Sequence, residues 1–122
     1  MRTRPDVLTE VKLADGTVTV DEYGYITNPD QWSRDFARYI AEREGIGELG
    51  DKHWEMIDFV REGYAEHGVS PDQRHLLKYL AKKYDTDKQG AKDILFAHFP
   101  AGYVKQTVKA AGMRQPRAWS TG

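Results

Sequence analysis

The chain has 122 residues, of which 39% are hydrophobic and 30% charged, with a formal net charge of −1. That balance fits one soluble globular domain with a single modest core. It contains no cysteine, which excludes disulfides, thiol redox chemistry and thiolate metal sites. No apolar stretch is long enough to span a membrane, and the polar N-terminus lacks the apolar run of a signal peptide. The cytoplasm is therefore the expected location. The charges are unevenly placed. Residues 1–66 hold 15 acids and 8 bases, a balance of −7, whereas residues 67–122 hold 4 acids and 10 bases, a balance of +6. An acidic body with a basic C-terminal half points to an acidic partner, protein or nucleic acid. The plainer reading is that the two halves attract each other within the fold.

Residues 1–10 read as a leader. In VKLADGTVTV, Val11 and Leu13 alternate with polar residues, Asp15-Gly16 signals a hairpin turn, and Val18 and Val20 resume the alternation. Tyr23 to Ile26 suggests a short third extended piece. Asn28-Pro29-Asp30 reads as a helix start, with Asn28 as cap and Pro29 at the first helical position. Trp32, Phe36, Tyr39 and Ile40 then follow at helical spacing to about Glu44. Gly45, Gly47 and Gly50 break the chain.

A second helix starts near Asp51, with a stripe of Trp54, Ile57, Val60 and Tyr64, and stops at His67-Gly68. Ser70-Pro71-Asp72 predicts a third helix with Ser70 as cap and Pro71 at its first position. Leu76, Leu77, Leu80 and Tyr84 form its apolar face, and Arg74, Lys78 and Lys82 form an outward row at i, i+4. A loop at 85–87 leads to a shorter helix holding Ile94, Leu95 and Phe99. After Pro100 and Gly102 a last helix covers about 103–111, ended by Gly112, and Pro116 keeps the tail from continuing it. There are no repeats and no low-complexity segment. The expected architecture is mainly α with a minor β part (α+β): one domain over 1–122, comprising a leader (1–10), a β-hairpin region (11–26), a helical core (29–99) and a C-terminal helix and arm (100–122). About five helices are expected.

Three stretches together resemble the DsrC/TusE/DsvC-like family of sulfur carriers, also described as the gamma subunit of dissimilatory sulfite reductase. They are DEYGYITNPDQW (21–32), HWEMIDFVREGYAEHGVSPDQRHLLKYLAKK (53–83) and FPAGYVKQTVKAAGM (99–113). The last is similar to the family pattern Phe-Pro-x-Gly-x-x-Lys-Gln-x-Cys-x-x-Ala-Gly, and the likeness runs from residue 11 to 120. It implies a helical domain with an N-terminal hairpin and a mobile C-terminal arm. In full members two arm cysteines carry sulfur as a persulfide or bridging trisulfide, since a thiolate can attack a sulfur atom and leave again. Relay members used in transfer RNA thiolation keep only the near-terminal one. Carried over by position, the motif cysteine falls on Val108 and the near-terminal one on Trp119. Neither side chain forms a persulfide. The tail also runs three residues past Trp119, where the family ends one residue after its cysteine.

The expected function is accordingly a cysteine-less, non-catalytic binding or regulatory protein of sulfur metabolism. Its expected partner is a protein of a sulfur-transfer or sulfite reductase-type system. No cofactor, metal or membrane is expected, and the chain is expected to be a monomer or weak oligomer. The partner-binding candidates are Lys105, Gln106, Arg114, Arg117 and Trp119. Lys105 and Gln106 equally read as solvating or capping the last helix, and Trp119 equally reads as folding back on this protein's own surface. Arg74, Lys78, Lys82 and Lys83 are candidates for anion or nucleic-acid contact on the second helix of a helix-turn-helix-like pair, against the reading of a solvated face. Alternative functions are a DNA-binding regulator and a structural subunit of a sulfite reductase-like complex. His53, His67, His75 and His98 lack ligand spacing. Ser70 and Thr107 lack a base, and Glu42 and Glu44 read as solvated charges.

Overall fold

A computed structural model describes residues 8–14 and 16–115. Strands β1 (Thr9–Leu13) and β2 (Gly16–Val20) pair antiparallel, with Val11 opposite Val18 and Thr9 opposite Val20. Alternation turns Val11, Val18 and Val20 toward the core. The expected third strand is reduced to a single bridge, Val20 to Ile26. The cause is local: the Asp21 carboxylate accepts from the backbone N–H of both Tyr23 and Tyr25, and Gly24 takes φ +91°. The chain therefore turns tightly there instead of extending.

The helix expected from Asn28 onward is split. Asn28 does cap, accepting from the Asp30 N–H, but only a three-residue 3-10 turn, Pro29–Gln31, follows. Trp32 is extended (ψ 146°), and helix α1 (Arg34–Arg43) restarts with Ser33 Oγ accepting from Phe36 N–H. The break frees the Trp32 side chain for a distant contact described below.

Helix α2 (Asp51–His67) ends at Gly68 in the left-handed region, φ +77°. Helix α3 (Gln73–Lys83) starts two residues later than Ser70-Pro71 suggested. Its cap is Asp72, whose carboxylate accepts from His75 N–H. Pro71 lies outside the helix because it packs instead. A Cβ added at Gly63 on α2 would lie 2.8 Å from its Cγ, and its carbonyl accepts from the Tyr103 hydroxyl. Helix α4 (Lys88–His98) is capped by Asp87, which accepts from Gly90 N–H at 2.8 Å.

The last helical stretch opens as a π-helix, Tyr103–Val108, and is closed by Gly112 at φ +76°. Its side chains join those of both strands and helices α1 to α4 in one apolar cluster: Phe36, Ile57, Leu80, Leu95, Tyr103 and Val108 are all fully buried. Burial of each such side chain contributes about 1.5–3 kcal/mol. With Ala110, Ala111 and Met113 buried as well, the chain up to Met113 belongs to the core. Among the described residues no helix is long and apolar enough to cross a membrane.

Candidate functional site

The last helical stretch, the expected base of a C-terminal arm, is seated where the 21–32 and 99–113 stretches meet. Trp32 Nε1–H donates to the Ala110 carbonyl at 2.8 Å. Arg61, from the middle of α2, donates Nη1–H to the next carbonyl, Ala111, also at 2.8 Å, and its guanidinium lies 4.2 Å from the Trp32 ring centre. Two of the four carbonyls that a helix end leaves without intrahelical partners are thus satisfied by fixed side chains. The positive guanidinium at the negative end of the helix adds a favourable charge–dipole term. Burial pulls the Arg61 pKa down and nearby Asp30 pushes it up, and the group stays cationic.

The opposite side of the same stretch is pinned by Tyr25, whose hydroxyl donates to the Val104 carbonyl at 3.0 Å. Burial, with Asp21 and Glu44 nearby, pushes its pKa up to about 12, so the phenol stays neutral and a donor. Glu44, at the end of α1, receives Lys109 Nζ at 3.0 Å and Gln106 Nε2 at 3.3 Å. Lys109 is only 12% exposed and lies 5.0 Å from the Tyr25 ring centre. Glu44 is therefore an anchor for the arm base, not the solvated charge expected from its neighbourhood. This pair also joins the acidic and basic halves of the chain directly.

Val108 lies in the same stretch and is 0% exposed, part of the apolar core. It contributes hydrocarbon to the core and no group able to hold sulfur. The adjacent Thr107 hydroxyl is buried without a hydrogen-bond partner. Gln106 is 4% exposed and turned inward, its Oε1 accepting from Ala101 N–H at 3.0 Å. It stabilises the arm base and offers no free amide to a partner. Lys105 beside it is exposed, as is Arg114 beyond the last buried residue. Arg117 and Trp119 lie outside the described residues.

The α3 cations are all exposed and belong to a different face. Arg74 is already tied to Asp72 at 2.9 Å, and Lys83 Nζ lies 4.0 Å from Glu55. The Arg74 guanidinium holds the Asp72 carboxyl below the usual carboxylate range. Of the histidines, His53 and His98 meet edge to face, with ring centres 4.7 Å apart. His53 Nδ1 accepts from Gly50 N–H at 2.9 Å, which leaves Nε2 to donate to the His98 carbonyl at 3.1 Å. That assigns a neutral tautomer to His53. Among the described residues no group of three or more His, Asp or Glu side chains could hold a metal ion. Trp32, Arg61, Tyr25 and Lys109 are not candidate site residues by sequence. Their only signal was membership of the matched stretches.

A family model described as "DsrC like protein" matches residues 12–118. The chain belongs to the DsrC-like family. It is 46% identical over 99 residues to the Sulfurtransferase TusE homolog of Haemophilus influenzae, covering 81% of this chain and 89% of that one. It is 41% identical over 99 residues to Sulfurtransferase TusE of Escherichia coli, with the same two coverages. The solution structure of Allochromatium vinosum DsrC superposes with a TM-score of 0.78 at 32% identity, over 91% of this chain and 97% of that one. The oxidized gamma-subunit of the dissimilatory sulfite reductase (DsrC) from Archaeoglobus fulgidus gives 0.76 at 26% identity, over 90% and 98%. The mainly helical fold with a two-stranded hairpin is thus the DsrC fold, in a family of sulfur relay. This DsrC-like chain has no cysteine.

Proposed function

We propose that this protein is a non-catalytic member of the sulfur-relay family, which occupies a carrier's docking position without carrying sulfur. The observation that supports it most is Val108: the position on which the resemblance puts the motif cysteine is filled by a fully buried aliphatic side chain. Trp32, Arg61, Tyr25, Glu44 and Lys109 clamp the stretch on either side of it in sequence, from Val104 to Ala111. Organisation of that kind serves presentation of the arm. Exposed Lys105 and Arg114, followed in sequence by Arg117 and Trp119, give the arm a positive charge and an aromatic anchor. Such an arm suits an acidic, partly apolar groove. The partner class follows from the relatives' names, a sulfurtransferase or a sulfite reductase-type assembly. The protein would compete with a true carrier for that surface and so regulate it.

Two measurements test this. Intact mass after incubation with a sulfane donor should show no increment of about 32 daltons, because no thiol is present to be persulfidated. A persulfide on the pure chain would end the proposal. Affinity capture from a sulfur-metabolising bacterium should recover a relay or reductase component, with Trp119→Ala and Arg114→Glu each reducing recovery. Undiminished recovery with both variants would place the docking surface elsewhere.

A further inference from the structure

Away from the arm, α3 and α4 flank a shallow trough of about 250 Å³ lined by Arg74, Leu77, Lys78, Ala81 and Lys88. Its floor is aliphatic, from Leu77 and Ala81, and every charged residue in its lining is a cation. Two rows extend the pattern. Arg74, Lys78 and Lys82 repeat at i, i+4 along α3, and Lys88 and Lys92 do so on α4. Arg74 is partly neutralised by Asp72 at 2.9 Å. Among the described residues neither Lys78 nor Lys88 is in an ion pair. Like charges gathered round an apolar floor are unfavourable for the isolated protein, and an anionic occupant would relieve them.

We infer that this trough binds an acidic amphipathic segment of a protein partner, which inserts an aliphatic side chain between Leu77 and Ala81 and sets carboxylates against Lys78 and Lys88. Charge complementarity commits the occupant to an anion. The volume falls below the roughly 300–1,000 Å³ of small-molecule sites and suits one or two inserted side chains. The aliphatic floor favours a peptide over a nucleic acid, which would present phosphates to the rim and nothing to the floor. The −7 balance of residues 1–66 further disfavours a long polyanion, while a short segment feels mainly the local cations. The surface is separate from the arm and does not depend on how the arm is used.

The test is a nuclear magnetic resonance titration of the full chain with a synthetic peptide of Glu and Leu in amphipathic register. Amide shifts centred on Leu77, Lys78, Ala81 and Lys88 are expected. Binding should weaken at least tenfold when the peptide's Glu are replaced by Gln, or its Leu by Ala. Lys78→Glu with Lys88→Glu should weaken it similarly and be rescued by a Lys-and-Leu peptide. Both lysines are exposed, and circular dichroism of the variant checks that it folds. Shifts elsewhere, or binding indifferent to peptide charge or to Leu, would overturn the inference. So would tighter binding of duplex DNA at the same residues, which would make the face a phosphate surface. Concentration-dependent self-association abolished by the lysine variant would make the occupant a second copy and overturn it too.

Discussion

The indole of Trp32 fills the space in which a side chain at Gly112 would begin: a Cβ added there would fall below contact distance of the Trp32 ring. Gly112 also has φ +76°, a conformation that costs little only for glycine. Two residues 80 positions apart thus hold the end of the last helix against the 3-10 turn. Gly112→Ala is expected to destabilise the fold by about 2–4 kcal/mol, from backbone strain and overpacking together. Urea denaturation would measure it. A loss under about 1 kcal/mol would mean that the indole moves aside freely.

Arg61 and Trp32 serve neighbouring carbonyls and stack on each other, so their contributions should not add. In a cycle of Trp32→Phe, Arg61→Met and the double variant, a coupling of about 0.5–2 kcal/mol is expected. Strict additivity would show two independent caps.

Protonation of His53 would remove the acceptor that holds the Gly50 N–H, at the positive end of α2. Burial lowers its pKa from the ordinary 6.5, His98 adding to the effect. The unfolded chain therefore takes up the proton first. The contribution is complete above about 6.5 and is lost as pH falls from there through the folded value. His53→Gln should keep the cap, since Gln is a natural acceptor at this third helical position, and should flatten that loss. Thermal unfolding of both proteins between about pH 7 and 5 provides the comparison. Identical pH profiles would remove His53 from the explanation.

Glu44 is the acceptor for a lysine that is 12% exposed. Glu44→Gln should cost about 1–2 kcal/mol, less than a fully buried pair because a quarter of the carboxylate side chain is open to water. The loss should persist in moderate salt, which screens exposed pairs far more than this one. A variant as stable as the parent would reduce the pair to a surface contact.

Restoring the motif cysteine by Val108→Cys should not restore reactivity. The site is wholly enclosed, so a thiol-specific reagent must wait for local opening that costs several kcal/mol, giving protection of at least about a hundredfold over the denatured chain. Rapid labelling of the folded variant would show that the arm base opens readily.

Much of this protein could be read along the chain. Alternating valines about Gly16, the apolar stripes of α2 and α3, and glycine stops at Gly68 and Gly112 are short-range signals, because hairpins and helices are set by neighbours a few residues away. Where the fold departs from the local pattern, a distant contact is present. Ser70 and Pro71 look like a helix start, but Pro71 is used against Gly63 and Tyr103, so Asp72 takes the cap. Trp32 fits a helical stripe, but its backbone is extended and its indole bonds Ala110. Gln106 looks like a docking group in a basic arm, but Ala101 and Glu44 hold it inward.

Sequence alone established the helix-rich pattern, the family likeness and the absence of any cysteine, all properties of residue identity and local spacing. Only the folded chain decided that residue 108 is sealed in the core, that Glu44 is an anchor, and that Trp32 and Arg61 hold the last helix end. Those outcomes depend on which side chains meet across 50 to 80 residues of chain, and no local pattern encodes such meetings.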